Sequence, residues 1–267
     1  MTGYILCQTK RTEVPFYLEN ISTNIYSLEE LCYFLYNNLY LVDETVIRED
    51  LCRWIETELK LPALAAKLRP HLGKFADLQD FLYPIFKEIN YLNYEELRSL
   101  NSRLAVLEGE TLSNRKKLKG DALVQNRMYV NAIRCYRELL SYDEYKVLPE
   151  QMTDSERDFA AKVYHNLGCA YARLFQMDKA LECFWTSYGM SGSREELKSY
   201  LLAFRSVKTP LEYESRLAET EADEKLKAEI DELLDHFARL PETPVYGRNI
   251  DSTLERITRE YHRSTGS

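Results

Sequence analysis

Four histidines, six cysteines and many carboxylates are the residues of this 267-residue chain whose types could do chemistry. His71, His165, His236 and His262 stand on separate stretches, and none has the His-Glu-x-x-His spacing that places two imidazoles on one metal. Cys7, Cys32, Cys52, Cys135, Cys169 and Cys183 include no C-x-x-C pair, so neither a zinc site nor a redox centre is expected. They read as small buried hydrophobes in a reducing compartment. There is no Gly-x-Ser-x-Gly nucleophile elbow and no glycine-rich phosphate loop; Gly189-Met190-Ser191-Gly192 reads as the turn after a helix. Catalytic carboxylate pairs are recognised by geometry and not by spacing. The expectation is therefore no enzyme, no metal and no cofactor, with an unrecognised helical enzyme as the least favoured alternative.

The elements that position these residues are helical. Nine Gly and eight Pro are few for the length, and 45% hydrophobic with 29% charged residues is a globular composition. A chain of this size can bury roughly 75% of its unfolded surface without a staple. The net charge of −8 argues against a nucleic-acid partner, since phosphate binding needs clustered Lys and Arg. The one basic run, Arg115-Lys116-Lys117, reads as a solvated helix face. No window approaches the roughly 18 apolar residues of a membrane helix, and the start lacks a basic segment followed by an apolar one. A soluble, cytoplasmic protein without a membrane partner is expected.

Tyr4 to Cys7 is a short apolar run and Pro15 to Tyr26 reads as extended chain or turns, the one β segment expected. Ser27 and Glu30 have capping-box spacing, so the first helix starts there, dense in Tyr and Phe. Further helices are expected over 43–59, from Pro62 to Pro70, over 77–89 with Pro84 as a kink or start, and over 94–107. Thr153 with Glu156, Ser193 with Glu196 and Thr209-Pro210 with Glu212 mark later helix starts. The charged stretch from 210 to about 240 loses its period between 218 and 226, and Asp251 to Tyr261 reads as a final short helix.

One stretch carries a specific pattern. Tyr164, Leu167, Gly168, Tyr171, Ala180 and Phe184 occupy positions 4, 7, 8, 11, 20 and 24 of a 34-residue unit beginning at Ala161, with Ser187 at position 27. Gly168 and Ala180 would let two antiparallel helices approach, with Leu167, Tyr171 and Phe184 between them and Met177-Asp178 as the turn. This resembles a tetratricopeptide repeat. A degenerate copy begins at Ser113, where Gly120, Ala132 and Tyr136 fall at positions 8, 20 and 24. The matched alanines are 48 positions apart, which leaves an insertion around Pro149. A third first-helix, Leu197 to Phe204, resembles the terminal helix of a solenoid.

The resemblance implies an all-α fold of antiparallel helical hairpins, a tetratricopeptide-like α-solenoid with additional N- and C-terminal helices. It divides the chain into 1–110, an N-terminal helical region with an extended start, 111–207, the repeats, and 208–267, a charged helix and tail. It also implies a short groove lined by first-helix residues, among them Lys117, Asp121, Lys162, His165, Asn166, Cys169 and Arg173, that holds a peptide or partner helix. One subset of the family grips a terminal carboxylate through five polar positions. Lys117 and Asn166 match two of them, whereas Asp121, Glu196 and Tyr200 occupy the others, so that ligand is not expected here. The implied function is a protein-interaction scaffold or adaptor of unknown partner and oligomeric state. The alternative is a peptide-sensing regulator without its own DNA-binding domain.

Overall fold

The computed structural model describes residues 10–73, 78–142, 145, 149–220 and 222–239. The expected run Tyr4 to Cys7 and the expected helix Asp251 to Tyr261 lie outside them. The chain divides into two units, Met1–Ala203 and Phe204–Ser267. Apart from two three-residue strands, the regular structure of the described residues is helical, so the fold is all-α.

The first unit opens with the antiparallel hairpin β1 (Phe16–Leu18) and β2 (Thr23–Ile25), with Phe16 opposite Ile25. Phe16, Leu18 and Ile25 are buried and Tyr17 faces out, the alternation that a half-covered strand requires. Trp54 Nε1 donates to the Val14 carbonyl at 2.8 Å and its ring lies 5.9 Å from that of Phe16, which fixes the hairpin against the helices.

Helix α1 (Leu28–Asn37) starts where Ser27 predicts, its hydroxyl accepting from Glu30 N at 3.2 Å. Helix α2 (Glu49–Thr57) begins later than the expected residue 43. Asp43 accepts from both the Thr45 amide (2.9 Å) and the Thr45 hydroxyl (2.7 Å), and such a local side-chain turn competes with the helix. Val46 and Ile47 nevertheless stay buried. Helices α3 (Pro62–Leu68), α4 (Leu78–Glu88) and α5 (Tyr94–Gly109) follow, and α4 runs through Pro84 without stopping. Leu31, Leu35, Leu51, Ile55, Leu64, Phe81 and Leu82 form the core here. Along α5 the buried residues are Leu100 and Leu104.

Two helical hairpins come next: α6 (Leu112–Gln125) with α7 (Tyr129–Leu139), and α8 (Asp154–Arg173) with α9 (Met177–Ser191). Their turns are alike at a constant interval of 48 positions. Arg127 and Phe175 both take left-handed backbone (φ 60° and 57°), and the amides of Met128 and Gln176 bond to the carbonyls of Leu123 and Tyr171 at 2.8 and 3.0 Å. The turn thus lies at 174–176 and not at Met177-Asp178, because the left-handed Phe175 has already reversed the chain. Gly189 sits inside α9, and Gly192 alone makes the expected turn, capping the helix at φ 62°.

The close approach inside each hairpin depends on a glycine. A Cβ on Gly120 would lie 2.3 Å from Tyr136 Cε1, and one on Gly168 would lie 2.8 Å from Phe184 Cε1. Ala132 and Ala180 are fully buried on the facing helices. Ser187 is also fully buried, and its hydroxyl donates to the Ala161 carbonyl at 2.8 Å. Helix α8 begins at a complete capping box of Thr153 and Glu156.

A polar knot joins the β-hairpin to these helices. Asn20 Nδ2 donates to the Leu41 carbonyl and to Thr45 Oγ1, both at 2.9 Å; Asn131 donates to the Asn20 carbonyl at 3.2 Å; Lys119 is paired with Asp43. The basic run is likewise not a solvated face. Lys116 pairs with Glu138 and Lys117 with Asp121, each at 2.7 Å, while Arg115 donates to the Glu108 carbonyl at 3.0 Å. Lys116 finds its carboxylate on α7, Lys117 finds one four residues on along α6, and Arg115 reaches back to a backbone carbonyl of α5.

Helix α10 (Arg194–Val207) carries the boundary between the units. In the second unit, α11 (Pro210–Glu219) starts at the Thr209/Glu212 capping box, and α12 (Glu224–Arg239) follows a break where the apolar period fails. Tyr213, Leu217, Leu226 and Ile230 are buried in it, and Lys227 pairs with Glu214 at 3.0 Å. Among the described residues, no helix is long and apolar enough to cross a membrane.

Candidate functional site

Helix periodicity places the groove residues. Lys117 and Asp121 are four apart on α6, and Lys162, His165, Asn166, Cys169 and Arg173 recur at three or four on α8, so each set shares one helix face. Helices α6 and α8 are neighbours, and the two faces meet.

They meet at Asp121. Its Oδ1 accepts from Asn166 Nδ2 at 2.7 Å and from the Tyr136 hydroxyl at 2.6 Å, and its Oδ2 faces Lys117 Nζ at 2.7 Å. One carboxylate therefore engages a cation, an amide and a phenol from α6, α8 and α7. Burial, then the hydrogen bond to Asp121, pushes the Tyr136 phenol far up, so it remains a donor at any physiological pH. Spacing pointed to Lys117, Asp121 and Asn166 but not to the Tyr136 hydroxyl. The signal was present: this hairpin has Tyr where the second has Phe184, and the additional oxygen reaches Asp121.

A second cluster forms beside it on α8. His165 Nδ1 lies 2.7 Å from Glu196 Oε2 of α10, and its ring meets Phe184 edge-on at 5.5 Å between centroids. Cys169 stands one turn further along the same helix face. The neighbouring Cys169 raises His165, burial opposes it, and the Glu196 carboxylate adds to the rise, to about 9. His165 is therefore imidazolium at neutral pH.

The remaining two residues stand apart from both clusters. Lys162 is exposed and pairs with Asp158 at 2.6 Å on its own helix. Arg173 is exposed at the end of α8. The groove residues are thus two bonded clusters flanked by two surface cations.

The other histidines are separate. His71 lies 3.9 Å from Asp80 in the first unit, His236 is on α12, and His262 is outside the described residues. Cys32, Cys52, Cys135 and Cys183 are buried, as expected, and burial raises each of their thiols. Cys169 departs from that expectation, being half-buried. Among the described residues, no group of three or more His, Cys, Asp or Glu could hold a metal ion. Clefts of about 740, 320 and 340 Å³ lie along α3–α4, α4–α5 and α5–α6, and none is lined by a groove residue. Comparison with protein-family models, with curated proteins and with solved structures found no match.

Proposed function

We propose that this protein is a cytoplasmic partner-binding adaptor and not an enzyme, and that α6–α7 and α8–α9 are two tetratricopeptide-like units whose first helices receive an extended peptide or a partner helix. The observation that carries this reading is the 48-residue correspondence between the hairpins, which extends from the left-handed turn residues to the glycine–aromatic contacts. Helical units of this kind stack through their neighbours and leave the first helices to present a binding face.

The chemistry of that face narrows the ligand. Asp121 already fills the space between Lys117 and Asn166, so a ligand carboxylate would meet a charge of its own sign there. The exposed cations at the flanks are Lys162, which a ligand carboxylate would have to draw from its surface pair with Asp158, and Arg173. A peptide whose acidic side chains lie to either side of a neutral centre suits this arrangement.

The experiment is capture of partners by immobilised protein, compared between the wild type and a Lys162→Glu, Arg173→Glu variant. Both positions are exposed, so folding is unaffected. At least a tenfold loss of captured partner is expected; equal capture by both proteins would refute a role for this face. Tetratricopeptide-like packing is tested separately through the glycines, as developed below.

A further inference from the structure

The cleft of about 340 Å³ along α5–α6 lies apart from the polar face of α8 and joins cations to apolar walls. Leu112, Arg115, Lys116 and Lys119 recur at three or four along α6, so one face of that helix forms a side of the cleft. The opposite side is apolar: Leu39 and Val42 from the short turn 39–41 and the residue after it, Leu78 of α4 and Leu107 of α5.

Two of the three cations are already neutralised. Lys116 pairs with Glu138 at 2.7 Å, and Lys119 pairs with Asp43. Arg115 has no carboxylate partner among the described residues. Its Nη2 donates to the Glu108 carbonyl at 3.0 Å, while its Nε is buried and has no hydrogen-bond partner. A buried N–H without an acceptor costs free energy that an incoming acceptor recovers. Nε and Nη2 lie on one edge of the guanidinium, the fork that matches the two oxygens of a carboxylate, and Nη2 keeps a second hydrogen for it. Glu44 also lines the cleft, but it is exposed, where water and salt screen its charge.

We propose that this cleft binds a small apolar monocarboxylate, with the carboxylate on Arg115 and the hydrocarbon body along Leu39, Val42, Leu78 and Leu107. A volume of about 340 Å³ holds roughly eleven water-sized groups, which is the size of octanoate. Leu112 is 80% exposed at the rim, and a hydrocarbon chain laid against it removes apolar surface from water. A neutral apolar molecule would leave the Arg115 Nε without an acceptor, and a dicarboxylate would bring its second charge towards Asp43 and Glu44.

The test uses the full chain, labelled with nitrogen-15 and titrated with octanoate, octan-1-ol and butyrate while amide resonances are followed. Octanoate should saturate with a Kd of about 1 mM or tighter, moving the amides of 39–44 and 107–119 most. Octan-1-ol, which lacks the carboxylate, should bind at least about tenfold more weakly. Butyrate, which has less chain to bury, should also be weaker by at least about tenfold. Arg115→Met keeps an unbranched apolar stem without the guanidinium and should lose octanoate binding at least about tenfold. Leu112→Glu, at an exposed position, should weaken octanoate by repulsion. Equal binding of octanoate and octan-1-ol overturns the proposal, as does wild-type affinity in Arg115→Met, a response centred on other amides, or no saturation by about 10 mM octanoate. The comparison of octanoate with octan-1-ol is made on the wild type, so it decides the matter even if a variant fails to fold.

Discussion

Replacing Gly120 by Ala asks whether the first hairpin closes on its glycine. A Cβ there meets Tyr136 Cε1, Cζ and Cδ1 at 2.3, 2.7 and 2.8 Å, all well inside ordinary carbon contact. The ring has nowhere to retreat, because its hydroxyl is held by Asp121 at 2.6 Å and Tyr136 is fully buried. Overpacking of this kind costs about 1–3 kcal/mol, while exchanging Gly for Ala inside a helix returns about 1 kcal/mol. The net expectation is a loss of up to about 2 kcal/mol. Gly189→Ala supplies the control, since this glycine also lies inside a helix but nothing approaches its Cβ site within 4 Å. It should gain about 0.5–1 kcal/mol. Urea unfolding followed by circular dichroism reads both as shifts of the midpoint in opposite directions. Gly168→Ala should fall between them, because its nearest contact is 2.8 Å and Phe184 has no hydroxyl tether. If Gly120→Ala proved as stable as Gly189→Ala, the hairpin would not depend on this close approach, and the tetratricopeptide-like reading of α6–α7 would fail with it.

Asp43 should contribute to acid sensitivity. Burial alone would raise its carboxyl, but Lys119 and Thr45 outweigh burial and hold it below the usual carboxylate range. A depressed carboxyl contributes stability above its unfolded value near pH 3.9 and loses it as pH falls through the folded value. Acid unfolding of the wild type should therefore be steeper below about pH 4 than that of Asp43→Asn, and parallel curves would remove Asp43 from the account. His165 has the opposite sign: raised to about 9 by Cys169 and Glu196, it contributes stability that is complete below about pH 6.5 and lost as pH rises through 9. Its imidazole proton resonances should titrate near pH 9 in the wild type and lower in Glu196→Gln; an ordinary wild-type titration near pH 6.5 would contradict the pairing.

The helices were legible in the sequence wherever an apolar period coincided with a capping residue. Ser27, Thr153 and Thr209 each start a helix as their spacing with Glu30, Glu156 and Glu212 indicates. Periodicity failed where local side-chain chemistry won. Val46 and Ile47 have helical spacing with Leu51, but Asp43 and Thr45 close a turn first. Gly189 suggested a turn that its helix simply continues through, because only Gly192 adopts the left-handed backbone a cap requires. At the candidate site, spacing within α6 and within α8 put the right residues on one face. It could not show that Asp121 is satisfied from three helices, or that Glu196 reaches His165 from 31 residues away. Contacts between elements have no period for a sequence to display, and for that reason Arg115 and Lys116 looked solvated when their partners lay on α5 and α7, although the Lys117–Asp121 pair at i,i+4 on α6 could have been read.

The order of packing along α6, α7, α8 and α9 has a mechanical consequence. Each helix of this series packs chiefly on its immediate neighbour in sequence, and the tie from α6 to α8 is largely the Asn166–Asp121 bond. A pulling force applied along the series would meet no shear-resistant clasp between distant segments, so α8–α9 would peel away as one hairpin before α6–α7 yielded. The polar part of the first barrier on that path is the bond between Asp121 and Asn166, whereas the bond from Ser187 to the Ala161 carbonyl stays inside the departing hairpin and keeps it whole.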